Sequence, residues 1–195
     1  MFLTDIAIRT ASAADAAEIQ KIYTPYVNDT AITFEYEVPS VEEFAARITR
    51  ILQRYPFLVA EKEGQIIGYA YVSAFRTRAA YDWAVETSIY LRQDCRREGL
   101  GKRLYLLLEE ILKKQHILNM YACIAYTAKE DPHLTNVSVT FHEHLGYKIN
   151  GHFTRCGHKF NTWYDMVWME KLIGEHNDNV KAVIPFAEVR AEFGL

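Results

Sequence analysis

The chain has 195 residues, 50% of them hydrophobic and 13% aromatic, which suits one domain with a buried core. A formal net charge of −3 excludes the strongly basic footprint of a nucleic-acid-binding protein. The cysteines Cys95, Cys123 and Cys156 form neither a disulfide framework nor a CxxC pair, and no apolar run approaches the ~20 residues of a membrane span.

Taken in chain order, Ile6-Ala7-Ile8-Arg9 alternates as a short strand. Ser12 and Asp15 then form a capping box before a helix carrying Ala16, Ala17, Ile19, Ile22 and Tyr23. Ser40 and Glu43 repeat that signal ahead of the stripe Phe44, Ile48, Ile51 and Leu52, which stops before Pro56. Phe57–Ala60 reads as a strand with a turn at Gly64-Gln65, and Ile66–Ala74 and Trp83–Leu91 as two further strands. A helix over Leu100–Gln115 places Leu104, Leu107, Leu108, Ile111 and Leu112 on one face. A strand over Asn119–Tyr126, a helix over Asn136–Leu145 and strands over Tyr147–Thr154 and Trp163–Met169 complete the series. The expected fold class is mixed α/β: a single domain over residues 1–173 and a C-terminal extension over 174–195, which has few clear periods. The acidic N-terminal segment lacks a signal-peptide pattern, so the expected location is cytoplasmic.

One loop carries chemistry. Arg96-Arg97-Glu98-Gly99-Leu100-Gly101-Lys102 lies between a strand and an amphipathic helix. Two glycines allow close backbone approach to a ligand, and the N–H groups at the helix start favour a phosphate. Arg96, Arg97, Lys102 and Arg103 add positive charge. The pattern matches neither a Walker loop nor GxGxxG, and taken alone it also suits a solvated charged turn.

The string RREGLG resembles the Arg/Gln-x-x-Gly-x-Gly/Ala signature of the GNAT superfamily. RYPFLVAEKEG, AYDWAVETSIYL, FHEHLGY and Gly157-x-Lys159-x3-Trp163-x-Asp165 narrow the resemblance to the phosphinothricin acetyltransferase-like branch. It runs from about Ile8 to Lys171 and leaves the C-terminal tail outside. The resemblance implies a GNAT fold with a central mixed, largely antiparallel sheet flanked by helices. It also implies acetyl-CoA as cosubstrate, a small-molecule amine as acceptor, no metal, no nucleic acid, no membrane, and a homodimer. The cofactor would be held by backbone groups of Ile89, Tyr90 and Leu91, by Arg96, Arg97, Glu98, Gly99, Leu100, Gly101 and Lys102, and by Asn136 and Ser138. In the branch an asparagine stands where this chain has Thr135, one position before Asn136. Lys129–Leu134 precedes it as a small insertion.

Acetyl transfer to an amine requires loss of an ammonium proton, polarisation of the thioester carbonyl and accommodation of the leaving thiolate. Glu86, in the apolar, aromatic context Trp83-Ala84-Val85, is the candidate base; from spacing alone a solvent-facing residue or an arginine partner fits equally. The resemblance implies the catalytic role. His142 matches the position from which a histidine would protonate the departing sulfur, and a histidine titrates near neutral pH. A metal reading of His142 with His144 is weaker, because residues two apart on a helix point in different directions. Arg76 and Arg78, two apart on or just after a strand, can share one side and grip a carboxylate. The matching family positions place Arg76, Arg78, Tyr81 and Phe34 at the acceptor, and Ser88 and Tyr90 offer hydroxyls from the Glu86 strand. A carboxylate, an α-amine and a tetrahedral polar head, as in phosphinothricin or methionine sulfoximine and sulfone, suit such a site. A protein or peptide N-acetyltransferase, or a non-catalytic acyl-CoA sensor, are the alternatives.

Overall fold

The chain is described here by a computed structural model covering residues 6–95 and 99–195. The expected contributions of Arg96, Arg97 and Glu98 lie outside those residues. Strand β1 (Ile6–Thr10) leads into α1 (Ala16–Asp29) through a single 3-10 turn, Ala13–Asp15. Ser12 donates its N–H to Asp15 Oδ2 at 2.7 Å, and Arg9 forks onto the same carboxylate at 2.8 and 2.9 Å. At the start of α2 (Val41–Leu52) the Ser40 hydroxyl accepts the Glu43 N–H at 3.2 Å, satisfying one orphan donor of the helix. Its stripe is buried as expected, with Phe44, Ile48 and Ile51 in the core and Leu52 at its margin.

Strands β2 (Phe57–Lys62) and β3 (Gln65–Ala74) form a hairpin. Its turn is Glu63-Gly64, one residue earlier than the sequence suggested, with both residues at positive φ (51° and 75°). After β4 (Ala84–Leu91), α3 (Leu100–Lys114) buries Leu104, Leu108, Ile111 and Leu112, and also Tyr105. Then follow β5 (Asn119–Tyr126), α4 (Val137–His144), β6 (Lys148–Lys159) and β7 (Thr162–Leu172). The last two strands run further than expected. They meet at Phe160-Asn161, again both at positive φ, and β6 carries an irregularity between Phe153 and Gly157.

The strands form one seven-stranded sheet in the order β1-β2-β3-β4-β5-β7-β6. Every neighbouring pair is antiparallel except β4–β5, which is parallel and short: Ala84, Val85 and Glu86 pair with Asn119, Met120 and Tyr121. Beyond Glu86 the two strands part. β4 stays on β3 as far as Leu91, while β5 stays on β7 as far as Tyr126. The sheet therefore opens at its middle.

The C-terminal segment is packed. Ile184 and Phe186 donate their N–H groups to Gln115 O and Arg54 O, each at 3.0 Å. Trp83 Nε1 donates to Lys181 O at 2.7 Å. Phe186 and Val189, in the short helix α5 (Phe186–Val189), are buried in the main core. No helix among the described residues is long and apolar enough to cross a membrane.

Candidate active site

The opening between β4 and β5 exposes backbone on one edge of β4, and alternation decides which groups face it. Trp83 O accepts from Leu118 and Asn119 on the β5 side, whereas Ala84 O accepts from Phe75 on the β3 side. Carried along the strand, this turns Tyr90 into the β3 ladder and Ile89 and Leu91 toward the gap. The next residue agrees, since Arg92 donates to Ile67 O at 2.9 Å. Leu91 is already engaged: its N–H donates to Tyr26 Oη at 3.2 Å, and Tyr26 Oη donates back to Leu91 O at 2.7 Å. Of the backbone stretch Ile89–Leu91, the Ile89 N–H is thus the one turned to the gap without that hydroxyl partner.

The glycine loop lies at the mouth of this gap. Gly99, at φ 78°, sits at the N-cap of α3 in a conformation that L side chains resist. Gly101 lies so close to Phe141 and Ile89 that a Cβ would come within 3.2 Å of the Phe141 ring and 3.4 Å of Ile89 Cδ1. Leu100 is buried, so its side chain serves the core while its N–H belongs to the helix start. Lys102 is exposed on the first turn, and Arg103 donates to Ile6 O at 3.0 Å, which ties α3 to β1. A left-handed glycine and a close-packed one thus put backbone, with no side chain in the way, at a helix start, the kind of place that suits a phosphate. Asn136 is placed differently: its carboxamide donates to Thr127 O at 2.8 Å and accepts the Thr127 N–H at 3.3 Å, bracing the end of β5. Ser138 uses its carbonyl, which accepts from His142 Nδ1 at 2.7 Å.

On one face of the sheet, Glu86, Ser88 and Tyr90 project in register with Ser73, Tyr71 and Tyr69 of β3. Glu86 is half-buried, and among the described residues no hydrogen bond reaches its carboxylate. Burial pushes its pKa up, partly opposed by the Arg76 guanidinium. Arg76 is held beside it over an aromatic stack: its guanidinium lies 4.3 Å from the Phe75 ring centre and 5.6 Å from that of Trp168. Phe75 stacks in turn on Tyr121 at 4.4 Å and meets Tyr81 edge-on at 5.9 Å. Arg78 is exposed at the start of a 3-10 turn, Ala79–Tyr81. Because β3 ends at Ala74, strand alternation does not govern the two arginines; only Arg76 is drawn into the stack. The Tyr90 ring is enclosed by Tyr23, Tyr26 and Tyr69 at 4.8, 5.0 and 5.4 Å, and its pKa is raised by that burial.

His142 is 3% exposed. Its Nδ1 must donate to the Ser138 carbonyl, so Nε2 is the acceptor for the Tyr105 hydroxyl at 3.0 Å. Burial pushes its pKa down to about 4. Such a pocket disfavours the imidazolium and favours the neutral imidazole as the resting form. Tyr105, Thr87 and Tyr147 complete a buried hydroxyl cluster beneath the gap, and Thr87 Oγ1 donates to Tyr121 O at 2.9 Å, where β4 and β5 separate.

The loop after α1 is linked to the Glu86 strand through Tyr23, which meets Tyr90 edge-on. Thr33 Oγ1 bonds Tyr23 Oη at 2.8 Å, Phe34 stacks on Tyr164 at 6.5 Å, and Glu35 lies 3.8 Å from Arg47. The Lys129–Leu134 segment braces this loop: Ala31 donates its N–H to His133 O at 2.9 Å, and Tyr164 Oη donates to Asp131 at 2.8 Å. Sequence reasoning missed Tyr105 and Glu35, and took Lys159 only as part of a motif, without its burial. Tyr105 stands one residue from Leu104 on the buried face of α3, a position at which a phenol needs a partner. Lys159 sits in a polar run that gives no sign of burial.

Residues 8–168 match the family model described as an acetyltransferase (GNAT) domain. The chain belongs to the GNAT acetyltransferase family, and as such is an acetyl-CoA-dependent N-acetyltransferase. Within the family it stands on the phosphinothricin acetyltransferase-like branch. It is 34% identical over 166 residues to the phosphinothricin N-acetyltransferase of Streptomyces viridochromogenes, covering 85% of this chain and 87% of that one. It is 35% identical over 165 residues to an L-methionine sulfoximine/L-methionine sulfone acetyltransferase of Pseudomonas aeruginosa, covering 84% and 92%. A crystal structure of a phosphinothricin acetyltransferase from Sinorhizobium meliloti in complex with acetyl-CoA superposes with a TM-score of 0.81 at 33% identity, covering 93% of this chain and 98% of that one. Among the described residues, no three His, Cys, Asp or Glu side chains gather as a metal-ligand set.

Proposed function

We propose that the protein acetylates the α-amine of a small zwitterionic amino acid of the phosphinothricin or methionine sulfoximine/sulfone type, by direct attack on acetyl-CoA with Glu86 as general base. The observation that carries this reading is Glu86 itself: half-buried, free of hydrogen bonds to described residues and raised in pKa, on the strand whose edge opens at the next turn of backbone. An amine is largely protonated at neutral pH, and a carboxylate of raised pKa is a better match for its proton than an exposed one. Acetyl-CoA supplies the activated acyl group. The Ile89 N–H, turned to the gap, would donate to the thioester carbonyl as negative charge develops there. The amides of Gly99, Leu100, Gly101 and Lys102 would hold the diphosphate, with Arg96, Arg97 and Glu98 assigned alongside by resemblance.

The proton balance is simple. Glu86 takes one proton from the ammonium, the amine nitrogen bonds the acyl carbon, the C–S bond breaks, and the second nitrogen proton ends on sulfur or solvent. His142 enters as a neutral imidazole that fixes the Tyr105 hydroxyl near the gap, and no imidazolium is required. Arg76 would receive the acceptor carboxylate, with Arg78, Tyr81, Ser88, Tyr90 and Phe34 around the remainder. Exposed Ile149 (47%), Phe153 (50%) and Trp163 (59%) along β6 and β7 support a homodimer through that edge. The thiols of Cys123 and Cys156 form no disulfide among the described residues, which suits the cytoplasm.

The test is release of CoA thiol from acetyl-CoA with methionine sulfone, methionine sulfoximine, phosphinothricin, unmodified amino acids and peptides. Turnover of the first three is expected. Turnover of peptides alone, or tight CoA binding with no acceptor turned over, would replace this reading with the protein-acetylating or sensing alternative.

A further inference from the structure

Lys159 is 3% exposed, yet it lies on β6, an edge strand whose other residues mostly face solvent. Its ammonium donates to Val27 O at 2.7 Å, Thr30 O at 2.9 Å and Thr33 O at 2.9 Å. All three donors are thus spent on backbone carbonyls, one within the last turn of α1, where the helix dipole favours a cation, and two in the loop beyond it. Burial lowers the lysine's pKa, with Glu35 opposing. Enclosing a charge is costly, and an apolar side chain would fill the same space more cheaply. What an apolar side chain lacks is the power to fix three carbonyls of an irregular segment.

That segment ends in Phe34. Two residues before Lys159, Gly157 lies directly against the Phe34 ring, and any Cβ there would collide with it. The register places Gly157 opposite Tyr164, on which Phe34 stacks. Thr33, whose carbonyl Lys159 holds, bonds Tyr23, and Tyr23 packs edge-on against Tyr90 on the Glu86 face. The chain of contacts runs from Lys159 through the loop to the acceptor side of β4.

We propose that Lys159 is a positioning residue for the acceptor: its buried ammonium anchors the Thr30–Phe34 loop to β6, and together with the bare Gly157 surface it holds the Phe34 ring at the acceptor site. The inference rests on the acceptor site proposed above. It predicts a split in the kinetics. Lys159→Met should raise the acceptor KM about tenfold, leave kcat within about threefold, and leave the acetyl-CoA KM and CoA affinity unchanged. Gly157→Ala displaces Phe34 without touching the ammonium and should give the same split, which covers the case of a Lys159→Met protein that does not fold. A direct readout is the ¹⁹F resonance of 4-fluorophenylalanine at position 34, which should shift or broaden in either variant. An unmoved resonance, or acceptor and acetyl-CoA KM values that rise together, would overturn the anchor. If the unaltered protein acetylates no amino acid, the proposed function fails, and the fluorine signal still decides the anchor.

Discussion

His142 offers a worked test of the site's electrostatics. In the unfolded chain a histidine titrates near ~6.5, whereas the fold pushes this one down to about 4 because it is buried among Tyr105, Phe141 and Tyr147. The folded state therefore disfavours the imidazolium. Stability from this group is complete above the unfolded pKa and is lost as pH falls through the window between ~6.5 and about 4, where the unfolded chain binds the extra proton. Taking both values, lowering the pH from about 7.5 to about 5.0 should remove about 2 kcal/mol through His142 alone. The assay is urea unfolding at both pH values for the native protein and for His142→Gln, whose side-chain oxygen can still accept from Tyr105. Other groups titrate equally in both proteins, so the difference between them isolates this residue. The native protein should lose about 2 kcal/mol more than the variant over that interval. Parallel losses would refute the neutral, buried imidazole and restore a proton-carrying role at neutral pH.

Two further outcomes follow from the geometry. Arg76→Gln should raise the KM for carboxylate-bearing acceptors by more than Arg78→Gln does, because only Arg76 is held over Phe75 and Trp168; equal effects measured with methionine sulfone would contradict the asymmetry. Tyr105→Phe leaves His142 Nε2 buried without its donor, a loss of roughly 1–3 kcal/mol in unfolding free energy, and an unchanged urea midpoint would show that the bond contributes nothing.

Much of the scaffold was legible because local signals agreed with the fold. Ser40 and the stripe Phe44-Ile48-Ile51 announce α2, and Leu104-Leu108-Ile111-Leu112 announces α3. The glycine loop and Glu86 could be found from residue type, context and resemblance. What escaped depends on pairings that no local pattern encodes. The second half of β6 reads as polar, Arg155-Cys156-Gly157-His158-Lys159, because an edge strand facing solvent has no apolar alternation. Burial of Lys159 arises from a loop more than a hundred residues away in the chain. The alternation that turns Ile89 to the gap and Tyr90 away from it requires the β3 register, which a sequence does not print. Arg76 and Arg78 follow the strand end at Ala74, which the sequence placed correctly, so strand alternation could not fix where either side chain goes. The tail lacked periodicity because Phe186 and Val189 are single anchors, and most of the remaining hold is backbone hydrogen bonding to Gln115, Arg54 and Trp83.

The central claim is that Glu86 removes the ammonium proton, and Glu86→Gln tests it most directly through the pH dependence of acetyl transfer. In the native enzyme, activity should rise with pH through a carboxylate pKa above the ordinary range, since the unprotonated form is the base. In the variant that acidic limb should vanish, kcat should fall by about 10²–10⁴-fold, equivalent to about 3–5 kcal/mol, and CoA affinity should hold. The same raised pKa means that ionised Glu86 costs the fold stability as pH rises through it, so the variant should be the more stable protein at neutral pH. An undiminished kcat with the acidic limb intact would contradict the account.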